Sequence, residues 1–276
     1  MISQNPWILR GRTNLQPRVR LFCLPYAGGG ASMFRNWANT LPPTVELCPI
    51  QLPGRENRLR EPPFSRISPL VEALAQALEH SLNLPFAVFG HSMGALIGFE
   101  LARELRRRSL PTPALLFVSG RRAPHQLDAD LPIHERSRDE FIREVQLRYN
   151  SIPEAVRQDS ELMELLLPSL RADFALTESY VYYAEAPLDC PIFAFGGVED
   201  PKVSHNDLAL WSRQTCRSFS LRMLPGEHFF LQSAQSVLLQ AISQELDGAV
   251  QNPEGGSPTE VAAKITAGAR DGKTRY

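Results

Sequence analysis

Residues 86–95 read Phe86-Ala87-Val88-Phe89-Gly90-His91-Ser92-Met93-Gly94-Ala95, and this stretch decides the fold. Its first four residues are apolar and suit extended backbone. From Ala95 to Arg108 the apolar residues recur at helical spacing. Only a very tight turn fits between the two, with Ser92 at its tip. Gly90 and Gly94 flank it because a Cβ at either place would clash where strand and helix pack closely. The Ser92 hydroxyl then stands at a helix N-terminus, where free N–H groups and the helix dipole favour a developing negative charge. Alone, Gly-x-Ser-x-Gly is weak evidence. Between an apolar strand and an amphipathic helix it predicts an exposed serine nucleophile.

Working outward, Arg18–Leu24 reads as a strand ending in Pro25-Tyr26-Ala27-Gly28-Gly29-Gly30. A helix is expected over 32–41, with Ser32 as its N-cap. Val45–Gln51 reads as a second strand, leading into the loop 52–58, and 68–82 as a helix. Beyond the central stretch, Ala114–Ser119 is a further apolar strand that opens into Gly120-Arg121-Arg122-Ala123-Pro124. Near-continuous apolar strands alternating with helices predict an α/β fold around a mostly parallel sheet covered on both faces. Working loops then gather at the carboxyl ends of the strands.

From 125 to 186 no buried strand appears. Helical segments at 137–149, 160–167 and 170–183 predict a helical lid inserted over the active face, split by prolines. Phe141, Leu147, Tyr149, Met163, Leu166, Phe174, Tyr180 and Tyr183 either line an acyl tunnel or form the lid's own core. The sheet resumes at 191–196, followed by Gly197-Val198-Glu199-Asp200-Pro201. A helix (205–215), a strand (219–224), the loop Pro225–Phe230 and a last helix (233–246) complete the pattern. The expectation is one domain over 1–247, with a disordered tail over 248–276.

The 276 residues are 43% hydrophobic and carry a formal net charge of −1, which gives no sign of nucleic-acid binding. No apolar run approaches the length of a membrane span, and the first residues lack a secretory apolar core. A cytoplasmic protein is expected. Cys23, Cys48, Cys190 and Cys216 lack metal-ligand spacing and read as free thiols.

A serine hydroxyl needs a base, and the base an orienting carboxylate. His228 follows the last strand and Asp200 the one before it, at the edge where Ser92 lies. Glu199 rivals Asp200; Asp173 and Asp189 are remoter. His91 adjoins Ser92 and reads as packing; His80, His125, His134 and His205 are not placed at strand ends. The oxyanion hole should take one N–H from Met93 and another from Ala27 or Gly28.

Five motifs now stand in order: Leu24–Ser32, Gln51–Arg58, Gly90–Ala95, Gly196-Gly197-x-x-Asp200-Pro201 and Gly226-Glu227-His228-Phe229-Phe230. Together, over about 7–246, they resemble the type II thioesterases, stand-alone proteins that accompany non-ribosomal peptide and polyketide synthases. The resemblance implies an α/β-hydrolase with a Ser92–Asp200–His228 triad and no metal or organic cofactor. It implies hydrolysis of acyl or aminoacyl thioesters from the phosphopantetheine arm of carrier domains, editing stalled or misprimed synthases. A monomer is expected. Carrier domains are generally acidic, so Arg58, Arg121 and Arg122 are candidate contacts to the carrier or its phosphate, with Arg55 leaning to a loop-fixing role. The alternatives are a medium-chain fatty acyl-carrier thioesterase or general esterase and, in another class, a non-catalytic carrier-binding protein.

Overall fold

The computed structural model describes residues 5–9, 16–126, 130–150 and 152–251. The chain runs β1 (Val19–Leu24), β2 (Val45–Pro49), α1 (Ile67–Leu78), β3 (Phe86–His91), α2 (Met93–Arg107) and β4 (Leu115–Ser119). Three helices follow, α3 (Arg138–Tyr149), α4 (Glu154–Gln158) and α5 (Ser160–Glu178). Then come β5 (Ile192–Gly197), α6 (His205–Ala209), β6 (Phe219–Leu224), α7 (Phe230–Ser233) and α8 (Gln235–Gln251).

The six strands form one sheet in the order β2-β1-β3-β4-β5-β6, every neighbouring pair parallel. Parallel pairing sends all carboxyl ends to one edge. The chain steps outward from β1 to β2 and then returns to the other side of β1 for β3. This reversal opens a crevice between the ends of β1 and β3, the usual place for a ligand in such sheets. Leu24 pairs with Gly90, and His91 with Ser119, so the loops after β1, β3 and β4 start side by side.

Alternation along the strands fills two cores. Phe22, Leu24, Val88, Leu116 and Val118 pack under α1 and α2. Leu21, Cys23, Ala87, Phe89 and Phe117 face α8 and the segment 31–39. A third cluster belongs to the insertion and includes Ile133, Phe141, Val145, Met163, Leu167 and Phe174.

Three local expectations need correction. The segment Ala31–Asn39 is a 3-10 helix, not an α-helix, preceded by Gly30. Ala31, Phe34 and Trp37 are its buried residues, and a spacing of three lines them up at three residues per turn. Ser32 is not its cap; its hydroxyl donates to Glu56 at 2.6 Å. The lid helices expected at 160–167 and 170–183 are one helix, α5, which passes through Pro168 and ends at Glu178. Asp159 caps it by accepting from Leu162 N–H, and apolar packing continues on both sides of the proline. Finally, α8 runs to Gln251, so 248–251 are helical rather than tail. The rest of the expected tail, 252–276, lies outside the described residues.

Candidate active site

Ser92 follows β3 directly and precedes the first residue of α2, at φ +53° and ψ −111°. A non-glycine residue there is strained, at a cost on the order of 1–3 kcal/mol. The neighbours hold it. A Cβ on Gly90 would lie 2.1 Å from the carbonyl oxygen of Gly94, and one on Gly94 would lie 2.2 Å from that of Leu24. Helix α2 is thereby pressed onto β3 and β1 with no room for a side chain between.

Asp200 and His228 come from the loops after β5 and β6. His228 Nδ1 lies 2.8 Å from Asp200 Oδ2, and the Asp200 side chain is fully buried. The other oxygen, Oδ1, accepts from Lys202 N–H at 2.8 Å. A carboxylate only accepts, so Nδ1 donates and His228 Nε2 is left as an acceptor. The imidazole is walled by the rings of Tyr149, Phe229 and His91, with centroids 5.2–5.4 Å away. Ser92, His228, Met93 and Ala27 line a single cleft, together with Tyr26, Arg121, Tyr149, Phe174, Thr177 and Phe229.

The rival groups stand elsewhere. Glu199 is exposed, and Asp189 is exposed and paired with Arg217 at 2.6 Å. Asp173 is buried against Arg55. His125 bonds Gln214, His134 bonds Glu178, and His80 and His205 face solvent. A family model for the thioesterase domain matches residues 19–246.

The chain belongs to the thioesterase family.

The gramicidin S biosynthesis protein GrsT of Aneurinibacillus migulanus is 46% identical to this thioesterase over 246 residues, 89% of this chain and 96% of that protein. Among solved structures, RedJ, the thioesterase from the prodiginine biosynthetic pathway in Streptomyces coelicolor, is 42% identical. It has a TM-score of 0.78 and covers 84% of this chain and 92% of that one. The type II thioesterase BorB from the borrelidin biosynthetic cluster is 32% identical, with a TM-score of 0.78 over 88% of this chain and 97% of that one. The sheet and its flanking helices are those of the α/β-hydrolase type II thioesterases.

In this thioesterase the first-strand loop distinguishes between Ala27 and Gly28. Gly28 N–H donates to the Asp173 carboxylate at 2.7 Å and is therefore consumed. Among the described residues nothing accepts from the N–H of Ala27 or of Met93, and both residues border the cleft.

His91 is fully buried, with Nδ1 2.9 Å from Ser119 Oγ. Burial, and then the facing His228, push its pKa well below the ordinary histidine value, so it is a neutral packing ring.

Arg58 is not placed to meet a partner. It is buried, donates to Glu61 and to the Gln51 carbonyl, and lies 4.4 Å over the Trp7 ring. Its fork closes the loop after β2 from within. Arg55 is buried too, as expected of a loop-fixing residue. Arg121 and Arg122, by contrast, are half-exposed and line a second cleft beside Ser92 with Lys202, Asp130 and Tyr149. Arg122 donates to the Lys202 carbonyl, and Lys202 pairs with Asp130 at 2.7 Å. That pairing holds the Asp130 carboxyl below its usual range.

The insertion's apolar residues divide. Phe141 and Met163 serve its own core; Leu147 and Tyr183 are exposed; Tyr180 donates to Glu100 on α2. Tyr149 and Phe174 border the cleft. The sequence reading missed Tyr26, Thr177, Phe229 and Lys202 as neighbours of Ser92. Their roles depend on which loops meet at the sheet edge. Among the described residues no cluster of three His, Cys, Asp or Glu side chains could hold a metal ion.

Proposed function

We propose that the chain is a serine thioesterase that removes acyl or aminoacyl groups from the phosphopantetheine arm of carrier domains, editing stalled or misprimed non-ribosomal peptide or polyketide synthases. Ser92 Oγ attacks the thioester carbonyl while His228 Nε2 takes its proton. Asp200 keeps the imidazole in the required tautomer and stabilises the imidazolium. The oxyanion rests on the N–H groups of Met93 and Ala27. The proton passes to the departing pantetheine thiolate, the acyl–Ser92 ester remains, and water activated by His228 releases the acid. The observation that carries this reading is the Asp200–His228 bond in the same cleft as Ser92 and two unengaged backbone N–H groups. Helices α3–α5 are the lid in this scheme, since Tyr149, Phe174 and Thr177 border the cleft from above. The cleft holds about 30 Å³ of water-accessible space beneath those side chains, room for roughly two waters. Arg121 and Arg122 are the proposed carrier contacts. All three triad side chains come from one chain, which supports a working monomer. Free thiols at Cys23, Cys48, Cys190 and Cys216 suit the reducing cytoplasm.

The test is hydrolysis of a panel of acyl groups on several carrier domains, beside coenzyme A thioesters and p-nitrophenyl esters. Carrier-bound thioesters are expected to turn over with the highest kcat/KM. A preference for the simple esters would favour the general esterase instead. Covalent labelling of Ser92 by a fluorophosphonate, abolished in Ser92→Ala, separates an enzyme from a carrier-binding protein. Asp200→Asn is expected to lower kcat by about 10²–10⁴-fold with little change in melting temperature, because it spoils the tautomer rather than the packing.

A further inference from the structure

Asp173 lies on α5, in the insertion, yet its carboxylate reaches the loop after β1. Oδ1 accepts from Arg55 Nη2 at 2.8 Å, and Oδ2 accepts from Arg55 Nη1 at 2.7 Å. Oδ2 also takes the Gly28 N–H, at 2.7 Å. Arg55 Nη1 donates in addition to the Gly29 carbonyl at 3.1 Å. One bidentate pair, with side chains 6% and 2% exposed, therefore joins three segments: the β1 loop, the β2 loop and α5. Neighbouring contacts come from the same turn of α5. Ser169 Oγ donates to the Gly54 carbonyl. Leu170 fills the space over Gly28, where an added Cβ would lie 2.9 Å from its Cδ1.

Gly28 sits at φ +79°, a backbone state that glycine adopts readily but that nothing intrinsic to glycine fixes. The peptide joining Ala27 to Gly28 takes its orientation from the bond to Asp173. Ala27, which borders the cleft and whose N–H has no acceptor among the described residues, is held by that orientation. We infer that Asp173 is a positioning residue, with Arg55 as its counter-ion, that fixes the oxyanion loop only while α5 is seated. The insertion thus completes the hydrolytic site from outside it, without touching the substrate at that point. The inference rests on the proposed role of Ala27. Catalytic power and the seating of the insertion are then one event, and an unseated α5 leaves Ser92 and His228 in place beside a loosened oxyanion hole.

The experiment compares the wild-type chain with Asp173→Asn and with the double variant Arg55→Met/Asp173→Leu. The double variant removes both buried charges together, so neither is stranded. Four quantities are read: melting temperature, Ser92 labelling rate with a fluorophosphonate, and kcat and KM on a short acyl-pantetheine thioester. Rates are counted per labelled Ser92, which discounts unfolded protein. Loss of one oxyanion donor typically costs 10²–10³-fold, and a loosened one should cost less. The double variant is expected to lose about 10–100-fold in kcat with KM within about twofold, and its labelling should slow in parallel, because the phosphoryl oxygen uses the same donors. Asp173→Asn, which keeps an acceptor for Gly28 N–H, should fall between it and wild type. A folded double variant that matches wild type within twofold in kcat and labelling per site overturns the positioning role and leaves the serine thioesterase reading standing. A wild-type chain that neither labels at Ser92 nor hydrolyses thioesters overturns both.

Discussion

Two imidazoles tilted against each other, 5.2 Å apart beside Ser92, sit in opposite environments, and the difference lies in what each ring faces. His228 faces a buried carboxylate and the cleft. His91 is fully buried against Ser119 Oγ, Tyr26 and His228, and burial first, then the facing His228, strongly disfavour its charged form. The sign of the consequence follows from linkage. A histidine whose pKa is lowered by folding binds its proton more readily in the unfolded chain. The stability it allows is full above the ordinary value near 6.5 and is lost as pH falls below it. His91→Asn is therefore expected to flatten the fall in urea midpoint between pH 7.5 and 5 relative to wild type. An unchanged slope would show that His91 contributes nothing to acid sensitivity. At this scale the meeting of Ser92 and His228 at one cleft, with Asp200 bonded to His228, was legible in the sequence, because each of the three directly follows a strand-like run or its turn. Arg58 was not. Its burial depends on Trp7, some fifty positions earlier, and no local pattern announces that contact.

Helix α5 belongs to two regions at once. Its first half packs Met163 and Leu167 into the insertion's own core; its second half docks Ser169, Leu170 and Asp173 onto the loops after β1 and β2. Pro168 stands at the junction. It removes one helical hydrogen bond and crowds the carbonyl of residue 164, which is why a reading by local rules divides the helix there. Tertiary packing on both sides outweighs that cost, and packing is what the sequence pattern does not reveal. The same holds for Ala31–Asn39, where burial at every third position selects a 3-10 helix over the expected α-helix. Pro168→Ala restores the missing donor. It is expected to stabilise the chain by about 1–2 kcal/mol, short of the full proline penalty because the backbone around it has already adjusted. Chemical denaturation measures this directly, and a destabilised variant would mean that the proline ring itself packs better than a free N–H bonds.

For the whole molecule, the parallel sheet does the gathering. Five of six strands deliver loops to the neighbourhood of Ser92, and the alternation of apolar strands with helices made the fold class legible early. The order β2-β1-β3-β4-β5-β6 was not legible, since it depends on which edge each crossover chooses. That order decides which charges meet. It sets the loop after β4, with Arg121 and Arg122, beside the loop after β5, with Lys202, so three cations and Asp130 share a cleft with Ser92. The chain as a whole carries only −1, so this concentration is local rather than a general basic character. An acidic carrier domain bearing a phosphate at the base of its arm would approach such a place faster and in a preferred orientation. Arg122 is the better probe, because Arg121 also borders the Ser92 cleft and a change there would disturb the chemistry itself. Arg122→Glu is expected to raise KM for acyl groups on a carrier domain about five- to tenfold, with kcat and the KM for a small acyl-pantetheine thioester within twofold. Raising ionic strength should narrow the gap between variant and wild type, since exposed charges are screened within about 10 Å at 0.1 M salt. Equal losses on both substrates, or a gap indifferent to salt, would mean that Arg122 braces the Lys202 loop and takes no part in carrier recognition.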